Sequence, residues 1–245
     1  MARFLPPPLR TGKPGRLRRL GRFVMRLIVW FFAISVGMSV IYKFVPPPVT
    51  LTMLVDSHGF DKDWTSLSRI DRNMVAAVIA GEDAKFCDHN GFDTEAIEKA
   101  IERNADAKNG GSRLRGGSTI SQQTAKNVFL WQGSGWTRYV RKGLETWFTF
   151  LIENIWGKRR IMEVYLNVAE TGIGTYGVEA GAQRYFNHSA ARLSRVEAAR
   201  IAAALPSPKK RAVVGATGFT RRHGNVIAAR STVVRSSALD SCVYD

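Results

Sequence analysis

No aspartate or glutamate precedes Asp56 in this chain, while Arg3, Arg10, Lys13, Arg16, Arg18, Arg19, Arg22 and Arg26 crowd the amino end. The formal net charge of +16 over 245 residues would suit a nucleic-acid binder. Its concentration beside an apolar run argues for a membrane surface instead. Cysteine is nearly absent, with only Cys87 and Cys242. Two cysteines exclude a disulfide framework and, with four scattered histidines, any zinc signature. They could pair if the tail folded back, and the sequence leaves that open. Alternating strands are also lacking, which removes sandwich, barrel and doubly wound folds. Asp61-Lys62-Asp63 matches the Asp-x-Asp pattern of metal-binding nucleotide-sugar transferases, but no α/β pattern surrounds it, so it reads as a solvated turn. The glycine-rich stretch Lys108 to Gly117 has no Gly-Lys-Ser/Thr ending and is a mobile basic loop by composition, not a phosphate loop. Ser207-x-x-Lys210 matches the nucleophile motif of penicillin-interacting enzymes, but no Lys-Thr-Gly follows it, so the match reads as chance.

One long apolar run is present. Phe23 to Val45 is apolar and aromatic apart from Arg26, Lys43 and small serines, with no charge between Leu27 and Tyr42. With flanking cations that can snorkel, it supplies the ~20 residues that roughly 30 Å of hydrocarbon requires. It ends in Tyr42-Lys43-Phe44-Val45-Pro46-Pro47-Pro48 without a small-residue cleavage site, so it reads as an anchor, not a signal peptide. The basic flank is expected to stay cytoplasmic, leaving everything after Pro46 outside. The organisation expected is a basic cytoplasmic segment at 1–22, a transmembrane helix at 23–45, an extracytoplasmic linker at 46–63, a helical domain at 64–215 and a basic C-terminal extension at 216–245.

Within the helical domain one stretch draws attention. Met74 to Ala80 can bury Met74, Val75, Val78 and Ile79 on one helical face, and Glu82-Asp83 closes that helix within a few residues of Phe86 and His89. A carboxyl there loses hydration and gains proton affinity, as a proton-handling group requires. Glu95 to Arg103 predicts a helix with Ala96, Ile97, Ala100 and Ile101 inward. Ser118 or Thr119 caps a following helix, with Gln122 completing a capping box and Lys126 one turn on. Amides of this kind can bind sugar hydroxyls, and the ammonium can hold phosphate. Trp131 and Trp136 sit on a predicted loop where they could meet a bilayer interface. A helix from Thr137 to Trp156 carries Leu144, Phe148, Leu151 and Ile155, and pairs Arg141 with Glu145 at i,i+4, ordinarily a solvated pair. Ile161, Val164, Tyr165 and Val168 stripe another helix, Glu170 to Gly181 reads as a glycine-marked loop, and Ser194-x-x-Glu197 opens a helix that Pro206 stops. A last helix is expected around 222–235.

Four ordered segments resemble the motifs of the peptidoglycan glycosyltransferases of glycosyltransferase family 51. They are Glu82-Asp83-x-x-Phe86-x-x-His89-x-Gly91; Gly117-Ser118-Thr119-Ile120-x-Gln122-Gln123-x-x-Lys126-Asn127; Arg141-Lys142-x-x-Glu145; and Lys158-x-x-Ile161-x-x-x-Tyr165-x-Asn167. A fifth motif is weak, with only Arg222 and Val226-Ile227 suggestive. The resemblance implies a mainly α, lysozyme-like domain that polymerises lipid II into glycan strands. The acceptor GlcNAc 4-hydroxyl would attack C1 of donor MurNAc with inversion, releasing undecaprenyl pyrophosphate. It further implies Glu82 and Glu145 as catalytic residues. Asp83, Phe86, His89, Ser118, Thr119, Gln122, Gln123, Lys126, Arg141 and Lys142 would form the substrate site. No cofactor is implied by pattern, although this chemistry admits a divalent cation such as Mg²⁺ near the pyrophosphate. The partners implied are lipid II and the growing lipid-linked strand, the membrane, penicillin-binding transpeptidases and divisome proteins, and no nucleic acid. The location implied is the bacterial inner membrane, single-pass, with a cytoplasmic amino end and a periplasmic catalytic domain. The family's arginine before the third motif is displaced here to Arg138, so Arg138 is left outside the set. The alternatives are a lysozyme-like lytic transglycosylase or hydrolase, and a non-catalytic membrane-anchored scaffold.

Overall fold

The computed structural model describes residues 16–108, 117–133 and 135–244, side chains at 101 and 103–108 aside. The basic segment before Arg16 and most of the glycine-rich stretch 108–117 lie outside the described residues. Two compact units are present, residues 1–38 and residues 39–245. Helix α1, Arg16–Phe44, runs through the first and into the second, and it is long and apolar enough to cross a bilayer.

The larger unit is predominantly helical, with a small three-stranded sheet. Its first ordered pieces are the short helix α2, Leu51–Leu54, and strand β1, Asp61–Lys62. Then come α3, Arg72–Glu82; α4, Thr94–Lys108; α5, Ile120–Phe129; α6, Thr137–Ile155; and α7, Lys158–Val168. Strands β2, Glu170–Gly172, and β3, Thr175–Tyr176, pair antiparallel, and β1 adds to β3 in parallel. Helices α8, Val178–Phe186; α9, Arg195–Ala204; α10, Gly218–Ser236; and α11, Ser241–Tyr244, complete it.

Helix α3 is the hub. Asp71 caps it by accepting from Asn73 N at 2.8 Å. Every residue from Met74 to Ala80 is buried, not the single face that periodicity alone predicts. The extra burial comes from α9 and α10, which both pack against α3. Helix α9 buries Ala198, Ala199 and Ala202 to Ala204, whose small side chains let the backbones approach.

Two boundaries expected from composition differ in the structure. Residues 216–245 are not an appended extension: α10 buries Gly224, Ile227, Ser231 and Val234, and Arg72 forks onto the buried Asp240 at 2.8 and 2.7 Å. The basic residues of α10 occupy its solvent side and mask a stripe at helical spacing. Residues 46–63 likewise join the fold. Met53 is buried, β1 completes the sheet, and Lys62 donates to the carbonyls of Pro47 and Pro48 at 2.5 and 2.9 Å. The glycine-marked loop after Glu170 contains the β2–β3 hairpin, too short for alternation to register.

Within this unit, carbonyls at the carboxyl end of α1 are held by the domain. Trp156 Nε1 donates to Ser39 O at 2.6 Å, and the Arg160 guanidinium donates to Tyr42 O and Val45 O at 2.9 and 3.1 Å. A cation at a helix carboxyl end satisfies both the orphan carbonyls and the helix dipole. Cys87 and Cys242 form a disulfide that ties the segment after α3 to α11.

Candidate active site

Glu82 is the last residue of α3, and at Asp83 the backbone leaves the helix. The Glu82 carboxyl is half-buried and accepts from Gln123 Nε2 at 2.9 Å. Burial pushes its pKa up. The Gln123 hydrogen bond and the charges of Arg211 and Lys126 pull the other way, while Asp83 adds to the rise. The result is a carboxyl with proton affinity above an ordinary glutamate.

Asp83 points away from solvent. It accepts from the Ile120 backbone N–H at 3.0 Å and from His89 Nε2 at 3.0 Å. His89 Nδ1 accepts from Gly91 N at 3.1 Å, so the proton of the neutral ring belongs on Nε2, facing Asp83. Asp83 thus sits at the amino end of α5, where a carboxylate is favoured, and fixes the His89 ring. Thr119 Oγ1 donates to Gly91 O at 2.7 Å, joining the first and second motifs. Gly91 has φ +90°, and a Cβ there would fall 2.8 Å from Thr149 Cγ2, so only glycine fits. Beneath this loop Lys158 lies 4.6 Å from the Phe86 ring centre and donates to His89 O at 2.5 Å and Glu153 Oε1 at 2.8 Å.

Two cavities flank Gln123 and Lys126, which line both. The smaller, of about 310 Å³, is walled by Ser118, Arg138, Tyr139, Arg141, Lys142 and Glu145. Glu145 is buried at 3 % exposure, not solvated as its spacing suggests. It accepts from Arg141 Nη1 at 2.9 Å and Lys142 Nζ at 2.5 Å. Lys142 also donates to Ser118 Oγ at 3.2 Å. Arg141 Nε is buried without a partner among the described residues. Lys126 makes no ion pair among the described residues. Burial lowers its pKa, Glu145 and Glu82 oppose that, and Arg141 and Lys142 reinforce it. Four cations around one carboxylate leave this pocket with positive charge and unused donors, a site for a polyanion.

The larger cleft, of about 580 Å³, includes Asn127, Gln132, Tyr165, Glu170, Lys209 and Lys210 among its walls. Glu82 itself is not among the lining residues of either cavity; it lies one hydrogen bond behind Gln123, which borders both.

The predicted substrate set therefore divides. Ser118, Gln123, Lys126, Arg141 and Lys142 reach the pocket walls. Asp83, Phe86 and Thr119 are buried behind them with His89, and hold the loops. Gln122 is 3 % exposed, and its Oε1 accepts from Thr119 N at 3.0 Å, so that oxygen closes the capping box. Arg138, set aside because its motif position was displaced, stands on the wall of the basic pocket. Glu170, Lys209 and Arg211 also escaped the sequence reading, since they come from a hairpin and a proline-marked turn with no motif, and Lys210 was seen only in a chance match. Among the described residues no group of three or more His, Cys, Asp or Glu is placed to hold a metal ion.

Comparison with known proteins gives the family. The family pattern described as Transglycosylase matches residues 50–232. A biosynthetic peptidoglycan transglycosylase of Caulobacter vibrioides is 48% identical over 235 residues, covering 91% of this chain and 100% of that protein. A protein of the same description from Pseudomonas aeruginosa is 48% identical over 203 residues, covering 79% of this chain and 84% of its own. Another from Rhodospirillum centenum is 43% identical over 236 residues, covering 95% and 97%. Matched along most of its length by the family pattern and by these relatives, the chain belongs to the transglycosylase family, among the biosynthetic peptidoglycan transglycosylases.

Proposed function

We propose that this enzyme polymerises lipid II by a single inverting displacement centred on Glu82. The acceptor sugar occupies the larger cleft and the donor pyrophosphate the basic pocket. Glu82 takes the proton of the acceptor GlcNAc 4-hydroxyl as its oxygen bonds to C1 of donor MurNAc. The C1–oxygen bond to the lipid pyrophosphate breaks on the opposite face, and the leaving group keeps the electron pair. One displacement at C1 inverts its configuration. The charge on the departing pyrophosphate meets Lys126, Arg138, Arg141 and Lys142, with Arg141 suited to grip two oxygens. Glu145 holds Arg141 and Lys142 in place and offsets their mutual repulsion. The observation that carries this reading is Glu82, a carboxyl of raised proton affinity, hydrogen-bonded to Gln123, which lines a pocket with Lys126, Arg138, Arg141 and Lys142 on its walls.

A glycan hydrolase needs a similar acid but has no use for such a pocket, because its leaving group is a sugar hydroxyl. With α1 as the anchor, the reading places the enzyme in the bacterial inner membrane, amino end in the cytoplasm and catalytic domain in the periplasm. Its products would pass to penicillin-binding transpeptidases and, at division sites, to divisome proteins. Purified protein incubated with labelled lipid II is expected to yield glycan strands, and Glu82→Gln to slow them by roughly 10²- to 10⁴-fold. Undiminished strands from that variant would refute the mechanism.

A further inference from the structure

The far wall of the larger cleft holds a carboxylate that the chemistry above does not use. Glu170 opens β2, and its side chain is 13% exposed. Its Oε1 is buried and has no hydrogen-bond partner among the described residues. Lys209 Nζ stands 3.6 Å from that oxygen, close enough for an ion pair but too far for a hydrogen bond.

The donors that might have served Glu170 are drawn to Asp56. The Asp56 carboxyl, 1% exposed, accepts from Lys209 Nζ at 2.7 Å, Tyr176 Oη at 2.8 Å and His58 N at 3.0 Å, with His58 Nδ1 at 3.1 Å. Lys209 pulls the Asp56 pKa well below the usual carboxylate range, helped by the His58 and Tyr176 hydrogen bonds and opposed by burial. Asp56 is therefore saturated, while on Glu170 the Oε1 atom is left over. Burial pushes the Glu170 carboxyl the opposite way, against the Lys209 charge and a backbone hydrogen bond from Gly174. A buried carboxylate oxygen without a donor is costly, and native structures rarely keep one that no ligand serves. Nearby on the same cleft, Asn127 and Gln132 offer amides that can both donate and accept.

We propose that Glu170 is a specificity-determining residue of the acceptor side, accepting a hydrogen bond from a hydroxyl or acetamido N–H of a bound N-acetylated sugar, with Asp56 and Lys209 as positioning residues that keep its oxygen free. The adjacent Lys209 charge already supplies the cation, so the group sought is a neutral donor rather than an ammonium. Glu170 moves no proton and takes no part in the displacement. This assignment rests on the reading of the larger cleft as the acceptor side.

The test uses the full-length protein in detergent with two readouts. In lipid II polymerisation, Glu170→Ala is expected to raise KM about tenfold and leave kcat within twofold. Glu170→Gln, which keeps an acceptor oxygen, is expected to raise KM threefold or less. In saturation-transfer NMR with soluble GlcNAc–MurNAc disaccharide, the contact is expected to vanish in Glu170→Ala and persist in Glu82→Gln. A kcat loss at unchanged KM, an unaltered disaccharide contact in Glu170→Ala, or a Gln variant as weak as the Ala variant would each overturn the assignment. A wild-type protein that binds disaccharide through Glu170 yet forms no strands would instead refute the polymerase reading and leave this one standing. Unfolding midpoints equal to wild type show that the variants fold.

Discussion

Replacing both Cys87 and Cys242 with serine removes a bond that closes a loop of sequence separation 155. In the chain-entropy description, a closure of that length lowers the entropy of the unfolded chain by about 17 cal/mol/K, or about 5 kcal/mol at 25 °C. That approaches the whole stability of a typical domain, about 5–15 kcal/mol. The double variant should therefore unfold at a far lower denaturant concentration, read from the fluorescence of the six tryptophans of the full-length protein in detergent. Wild type treated with a dithiol reductant should match it. Activity at 25 °C should stay within about twofold of wild type, provided the variant remains folded, because the contacts that place Glu82 and His89 run through Gln123, Asp83 and Ile120, not through sulfur. A stability loss below about 1 kcal/mol, or no difference on reduction, would refute the pairing as a constraint on the unfolded chain.

Gly91→Ala forces a side chain into positive φ, with its Cβ 2.8 Å from Thr149 Cγ2 and 2.9 Å from Glu153 Cγ. A cost of about 2–4 kcal/mol is expected in thermal unfolding, and an unchanged midpoint would show that the loop can relax. Gln123 stabilises the ionised form of Glu82, so Gln123→Ala should raise the Glu82 pKa further. The acid limb of kcat/KM then moves to higher pH, because activity appears only as pH rises through that pKa; a stationary limb would count against Glu82 as the base. Arg141→Ala leaves the buried Glu145 with Lys142 alone and should cost about 3 kcal/mol. A double-mutant cycle with Glu145→Gln should show coupling above about 0.5 kcal/mol, and additivity would mean that the pair is not coupled.

Much of the site was legible because its chemistry is local. Glu82, Lys126, Arg141 and Glu145 each sit on or beside a strongly patterned helix, and the Thr119–Gln122 box announces where α5 begins. The same locality gave Gln122 two readings: spacing places it one turn from Lys126, and its Oε1 closes the cap. Arg138 was undervalued because a motif reads position along the chain, and the first turn of α6 carries it to the pocket wall. Helix α10 was foreseen as a helix but not as part of the core, since net charge reports the exposed side of a helix and says nothing of the stripe beneath.

By itself the sequence determined the apolar anchor and its basic flank, the helical class, the caps, and the residue types that proton transfer and pyrophosphate binding require. These follow from periodicity, charge and short-range hydrogen bonding, all functions of neighbouring residues. Only the tertiary structure decided the rest. It paired cysteines 155 positions apart, carried Lys209 to Asp56 and within 3.6 Å of Glu170, and buried the Arg141–Glu145 pair that spacing alone leaves in solvent. Long-range contacts set desolvation, and desolvation separates a surface glutamate from a carboxyl such as Glu82, whose burial holds its proton affinity high against the pull of Gln123, Arg211 and Lys126.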